Sequence, residues 1–216
     1  DWYTVAVRTG GPGASGVSLL GIERDTPGFT RTELKKMGWW ASDTAELHFD
    51  DCRVPASNLI GAEGQAFPLI MRNFNGERLT LAASACGAAQ ACLEDAVEWA
   101  RSRKTFGRPV IDKQVVHFTL AELSTEIESL RALVYRATEL YVSGKDVTQL
   151  ASMAKLKAGR LTREVADKCL QYWGGMGYTW DNQVSRLYRD GRLASIGGGA
   201  DEIMLGIICK LMGILP

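Results

Sequence analysis

Eight apolar residues constrain the fold more than any other feature of the chain. Val116, Leu120, Leu123, Ile127, Leu130, Val134, Ala137 and Tyr141 follow one another at steps of four and three. That spacing keeps them all on one face of an α-helix. It predicts one long helix with a core-facing stripe, packed at the shallow angles of a coiled coil. The helix should stop at Ser143–Gly144, with Gly144 as its C-cap.

Ala154, Ala158, Leu161, Val165 and Cys169 repeat the pattern and mark a returning helix. Leu79 to Trp99 reads as another, with Ala83, Gly87 and Ala91 spaced to let a neighbour approach closely. Ile203, Ile207, Ile208 and Leu211 give a short last one. Antiparallel helices joined by short connections form a four-helix-type bundle, placed at residues 62–216.

Before residue 62 the language changes. Tyr3 to Arg8, Val17 to Ile22 and Ala45 to Phe49 are short alternating or apolar runs punctuated by Gly, Pro and Asp. They read as antiparallel strands of a partial β-domain at 1–61, which makes the fold class α+β. Gly11 to Gly16, GPGASG, fits the GxGxxG dinucleotide pattern and follows a strand. VSLLGI after it reads as a second strand, so the helix that should hold a pyrophosphate is missing. The segment is expected to be a hairpin loop.

The 25 basic and 25 acidic residues cancel, which argues against nucleic acid or an anionic membrane as the main partner. No apolar run is long enough for a transmembrane segment. Asp1 to Gly10 lacks the marks of a signal peptide. Five cysteines, an odd number, with no CxxC and only His48 and His117 to help them, read as buried free thiols and not as a metal site.

Two glycine clusters interrupt the helical region: Gly174, Gly175 and Gly177, then Gly197 to Gly199. Each is either a helix C-cap or backbone cleared for a ligand. Arg103–Gly107, RKTFG, is either a basic helix terminus with a turn or a ligand site. In the second case Arg103 is a phosphate fork, Thr105 a hydroxyl and Phe106 a stacking face. Gln114 and Gln171 are amides for a ligand's polar edge or plain surface residues.

Taken in order, ERLTLAASACGAAQACLEDAVEWARSRKTFGRPVIDKQ, LQYWGGMGY, RLYRD and IGGGADEIM resemble the C-terminal half of an acyl-CoA dehydrogenase. ERDTPGFTRTELKKMGWWASDTAELHFDDCRVPASNLIG is similar to the later part of that family's β-domain. The closest flavour is the long-chain, isovaleryl-like branch.

The resemblance implies noncovalent FAD, a homodimer or homotetramer, and dehydrogenation of a medium, long or branched acyl-CoA to the trans-2-enoyl-CoA. Electrons would pass to an electron-transfer flavoprotein. It also implies a soluble enzyme, in the mitochondrial matrix of a eukaryote or the cytoplasm of a bacterium. The family carries an N-terminal helical domain and the first half of the β-domain ahead of what Asp1 begins. An acyl-CoA oxidase and a truncated, non-catalytic paralogue in hetero-oligomers are the alternatives.

By position, the resemblance assigns Arg103, Thr105, Phe106 and Gln114 to the FAD of a neighbouring subunit. Gln171, Tyr172, Trp173, Gly174 and Gly175 line the same cofactor, and Ala200, Asp201 and Glu202 contact it from the last loop. Asn75, Gly76 and Arg78 lie along the acyl-CoA, with Gly198 and Gly199 facing the thioester.

Many relatives place the catalytic glutamate in that loop, where this chain has Gly198. In the long-chain and isovaleryl-like branch the glutamate comes directly before an arginine on an earlier helix. Here that pair is Glu77–Arg78, so the resemblance makes Glu77 the base. Read without it, Glu77 is a first-turn helix acid, and Asp201 and Glu202 are the N-cap and first turn of the last helix.

Overall fold

The computed structural model describes residues 1–215. The chain divides into two compact units, Asp1–Phe74 and Asn75–Pro216.

In the first unit, β1 (Trp2–Arg8) pairs antiparallel with β2 (Val17–Glu23), from Trp2 opposite Glu23 to Arg8 opposite Val17. β3 (Phe29–Glu33) pairs with β4 (Ala45–Phe49) as a separate ribbon. β5 (Leu59–Ile60) adds a short third strand beside β2. Leu19, Ile22 and Phe29 are buried, and Phe29 stacks on Phe49 with ring centroids 4.8 Å apart.

The GPGASG segment is the β1–β2 loop, as its flanking strands predict. The amides of Thr9 and Gly10 both donate to the Gly16 carbonyl, at 3.0 and 3.1 Å. A Cβ on Gly16 would lie 1.9 Å from the Gly11 carbonyl oxygen. Glycine here closes a loop upon itself, and no phosphate need be invoked.

α1 (Ala66–Ser102) runs 37 residues, starting well before the Leu79 that periodicity suggests. Pro68 sits in its first turn, where a missing N–H costs nothing. The boundary between the two units falls inside this helix. Its buried face is Ala82, Ala85, Cys86, Ala89, Cys92, Leu93, Ala96 and Ala100. The Ala83–Gly87–Ala91 stripe is not this face: Ala83 and Gly87 are exposed, and a Cβ on Gly87 would meet nothing within 4 Å. The helix has two small-residue rows, and the cysteines and Leu93 decide which one turns inward.

β6 (Lys104–Thr105) and β7 (Arg108–Pro109) form a tight hairpin, and α2 (Gln114–Val142) follows. Its predicted stripe is buried from Val116 to Ala137, but Tyr141 is exposed, because the helix ends one residue later and has no core left to face. Gly144 follows with φ +77°. The short connection folds α3 (Thr148–Trp173) back along α2. α4 (Gln183–Asp190) and α5 (Asp201–Leu211) pack on α3.

One core joins α1, α2, α3 and Val184 of α4. Ile127 and Leu130 are fully buried, each stabilising the bundle by about 1.5–3 kcal/mol on the transfer scale. Of the five thiols, Cys86, Cys92 and Cys169 are buried, while Cys52 and Cys209 are only partly covered. Among the described residues no helix is long and apolar enough to cross a membrane.

Candidate active site

The glycine run lies between a 3-10 turn (Gly191–Ser195) and α5. Gly198 and Gly199 adopt φ of +67° and +106°, conformations that strain any residue with a Cβ. The run is therefore not a helix cap but a loop with its own backbone shape. A Cβ at 198 would lie 2.6 Å from Leu81 Cδ1, so Leu81 of α1 fills the space a longer side chain would need.

Two buried cations reach the loop's carbonyls. Arg78 of α1, 4% exposed, donates from Nε to the Gly198 oxygen at 3.4 Å. Lys155 of α3, 1% exposed, donates from Nζ to the Gly199 oxygen. Burial holds both below their usual pKa; nearby Glu77 opposes the shift for Arg78, and Asp201 opposes it for Lys155.

The loop thus meets α1 at Glu77–Arg78. Asn75 donates from Nδ2 to Thr148 Oγ1 at 2.9 Å, and Gly76 lies against the Tyr141 hydroxyl. Arg78 turns inward, while Glu77 is exposed on the next position of the helix. Since α1 begins at Ala66, Glu77 stands in mid-helix and not in a first turn. The dipole argument for an ordinary helix-start acid therefore fails.

Asp201 is also placed differently from its sequence reading. Ala200 is the N-cap of α5, and Asp201 is the first helical residue. The Asp201 carboxylate is buried and faces Arg163 at 3.4 Å and Arg160 at 3.6 Å, both from α3. It anchors α5 to α3. Glu202 beside it is exposed.

A second site forms where the hairpin meets the end of α3. Trp99, Arg103, Thr105, Lys113, Gln171, Tyr172, Trp173, Gly174 and Gly175 are among the residues that line a groove of about 480 Å³. Trp99 and Trp173, both in this lining, stack with ring centroids 4.4 Å apart. Neither indole N–H has an acceptor among the described residues. Added Cβ atoms on Gly174 and Gly175 would meet nothing within 4 Å, so backbone lies open to anything in the groove. Lys113 donates to Thr105 Oγ1 at 2.6 Å, and its Nζ is 5.6 Å from the Phe106 ring centroid.

Phe106 is fully exposed at the hairpin tip with φ +52°, next to Gly107 at +80°. Both turn residues have positive φ, the tight-hairpin geometry that normally selects Asn-Gly. Gln114, exposed at the start of α2, is not among the groove-lining residues, nor are Ala200, Asp201 and Glu202. The residues assigned to cofactor thus fall into a groove set and a loop set, with Phe106 and Gln114 in neither.

This arrangement offers one patch with open glycine backbone and the cations Arg103 and Lys113, suited to an acceptor-rich ligand. The other patch has a carboxylate on a helix beside a cation-held glycine loop. A family model described as "Acyl-CoA dehydrogenase, C-terminal domain" matches residues 64–213. The chain belongs to the acyl-CoA dehydrogenase family.

Its curated relatives include an acyl-CoA dehydrogenase of Bacillus subtilis, 40% identical over 98% of this chain and 56% of the relative. Another is a cyclohexane-1-carbonyl-CoA dehydrogenase of Geobacter metallireducens, 38% identical over 97% of this chain and 56% of the relative. Among solved structures, a probable acyl CoA dehydrogenase from Mycobacterium abscessus superposes with a TM-score of 0.96 at 45% identity. The match covers 99% of this chain and 57% of that one. The chain spans about half the length of the curated relatives it matches.

Sequence reasoning missed three residues of this acyl-CoA dehydrogenase domain: Trp99, Lys113 and Lys155. Only Lys155 left a signal. It falls on the stripe of α3 between Ala151 and Ala158, both buried, and a lysine on a core stripe demands a partner.

Proposed function

We propose that this chain is the C-terminal portion of an FAD-dependent acyl-CoA dehydrogenase acting on a medium, long or branched acyl-CoA in fatty-acid β-oxidation or related acyl-CoA catabolism. The observation that carries the proposal is the hydrogen bond from Arg78 to the Gly198 carbonyl. It joins segments 120 residues apart in sequence and brings the Glu77–Arg78 turn of α1 to the glycine loop.

FAD supplies the hydride acceptor when bound. The groove suits its diphosphate and polar edges: Arg103 provides a fork, Thr105 and Gln171 provide hydrogen bonds, and Gly174 and Gly175 allow close approach. As the family resemblance implies, the groove would hold the FAD of a second copy. The second copy makes the homodimer or homotetramer, and an electron-transfer flavoprotein is the proposed electron acceptor.

Glu77 takes the α-proton of the thioester as the β-carbon loses a hydride, leaving a carbon–carbon double bond. The acyl-CoA lying along Asn75–Arg78 covers Glu77 and excludes water, which raises a carboxylate's proton affinity and makes it a better base. Amides of the glycine loop face the thioester oxygen, where negative charge develops as the α-proton leaves.

The test is Glu77→Gln in the complete chain. FAD binding should persist while substrate-induced loss of flavin absorbance slows by about 10²–10⁴-fold. Near-normal bleaching would overturn the assignment of the base.

A further inference from the structure

Lys155 has no place in the sequence pattern of the family site, yet among the described residues it is the largest fully buried side chain. A lysine loses hydration worth several kcal/mol on such burial. Its ammonium donates not to a carboxylate but to the backbone oxygen of Gly199. Arg78 reaches the Gly198 oxygen from α1. Nearby Asp201 and Glu202 favour the Lys155 charge without accepting its hydrogen bond. Instead, Asp201 is turned to Arg160 and Arg163.

The peptide bonds are trans, so each C=O and its N–H point in opposite directions. Holding the Gly198 and Gly199 oxygens inward therefore turns the amides of Gly199 and Ala200 outward. Neither amide donates to another group among the described residues. Glycine alone would leave such a loop free among many conformations.

We propose that Lys155 and Arg78 are positioning residues that clamp the glycine loop from beneath, presetting its amide face for the thioester. The inference rests on the reading of this domain as an acyl-CoA dehydrogenase. It deepens that reading by giving the loop's shape to two cations instead of to its own sequence. The buried positive charge also lies on the side of the loop opposite the developing oxyanion, where it strengthens the same stabilisation.

The experiment compares wild type with Lys155→Met, Lys155→Arg and Arg78→Gln. Hydrogen exchange of the Ile196 and Gly197 amides, which donate to the Leu193 carbonyl at the start of the loop, should rise about tenfold in Lys155→Met, while that of the α2 core around Ile127 stays unchanged. In the complete FAD-loaded enzyme, kcat should fall about tenfold or more with KM nearly constant, the split expected for a group felt only in the transition state. Lys155→Arg should restore much of the loop protection, and Arg78→Gln should loosen the loop by a smaller factor.

Unchanged loop protection in Lys155→Met overturns the clamp. So does exchange that rises equally in loop and core, which marks Lys155 as a packing residue. If Lys155→Met does not fold, Arg78→Gln decides by the same two readouts. Loop loosening in Lys155→Met, found together with a complete wild-type protein that dehydrogenates no acyl-CoA, keeps the clamp and removes the functional reading.

Discussion

Gly159 and Gly87 carry the same side chain in helix interiors and should answer the same mutation with opposite signs. A Cβ on Gly159 of α3 would lie 2.7 Å from the Ala194 carbonyl oxygen and 2.9 Å from Ser195 Oγ. Alanine there gains about 1 kcal/mol of helix propensity, but pushing α3 off the segment before the glycine loop costs about 1–3 kcal/mol. Gly159→Ala should therefore lower stability. Gly87 of α1 meets nothing, so Gly87→Ala should raise it by up to about 1 kcal/mol. Urea titrations of both variants check the pair, and equal signs would refute the packing argument. At this scale the sequence was partly legible. Lys155 was visible as a charge on an alanine stripe, but its destination was not, because the Gly199 carbonyl lies 44 residues away.

Among the elements, the β6–β7 hairpin is the one where local preference and observed structure conflict. Phe106 sits at positive φ and is fully exposed, and the Lys113 ammonium 5.6 Å from its ring repays only part of the strain of about 1–2 kcal/mol, since an exposed cation–π contact is worth about 0.5–1 kcal/mol. Such a residue persists where the ring has another use, which in the proposed function is stacking on FAD. Phe106→Asn should accordingly stabilise the chain by about 1 kcal/mol and weaken FAD binding by about 1–3 kcal/mol. Thermal melts and a flavin titration of the complete protein separate the two effects. Stability gained with FAD affinity unchanged would remove Phe106 from the cofactor site. The helices were read more easily than this hairpin. A stripe such as Val116 to Ala137 repeats its signal seven times, whereas two-residue strands announce themselves only through a turn, and Phe-Gly is not a usual one.

For the molecule as a whole, the two compact units are unequally filled. Buried apolar residues in the first are Leu19, Ile22, Phe29 and Ala66, while the bundle buries an entire face of α1, α2 and α3. Stability grows with apolar area removed from water, so the first unit should open first. Urea unfolding of the chain followed by hydrogen exchange should release β1 and β2 at lower denaturant than α2 and α3. Release of all four together would show one cooperative unit.

Periodicity by itself determined the bundle, the β1–β2 hairpin and the order of elements, because each is written in steps of two, three or four residues that a local reading can count. The serial motifs determined the family. What the tertiary structure decided was direction: which small-residue row of α1 is buried, that Glu77 stands in mid-helix, and that Asp201 anchors α5. It also placed Arg78 and Lys155 under the glycine loop. These are choices between faces and partners far apart in the chain, made by packing and by the need of buried charges for acceptors. No local pattern records them.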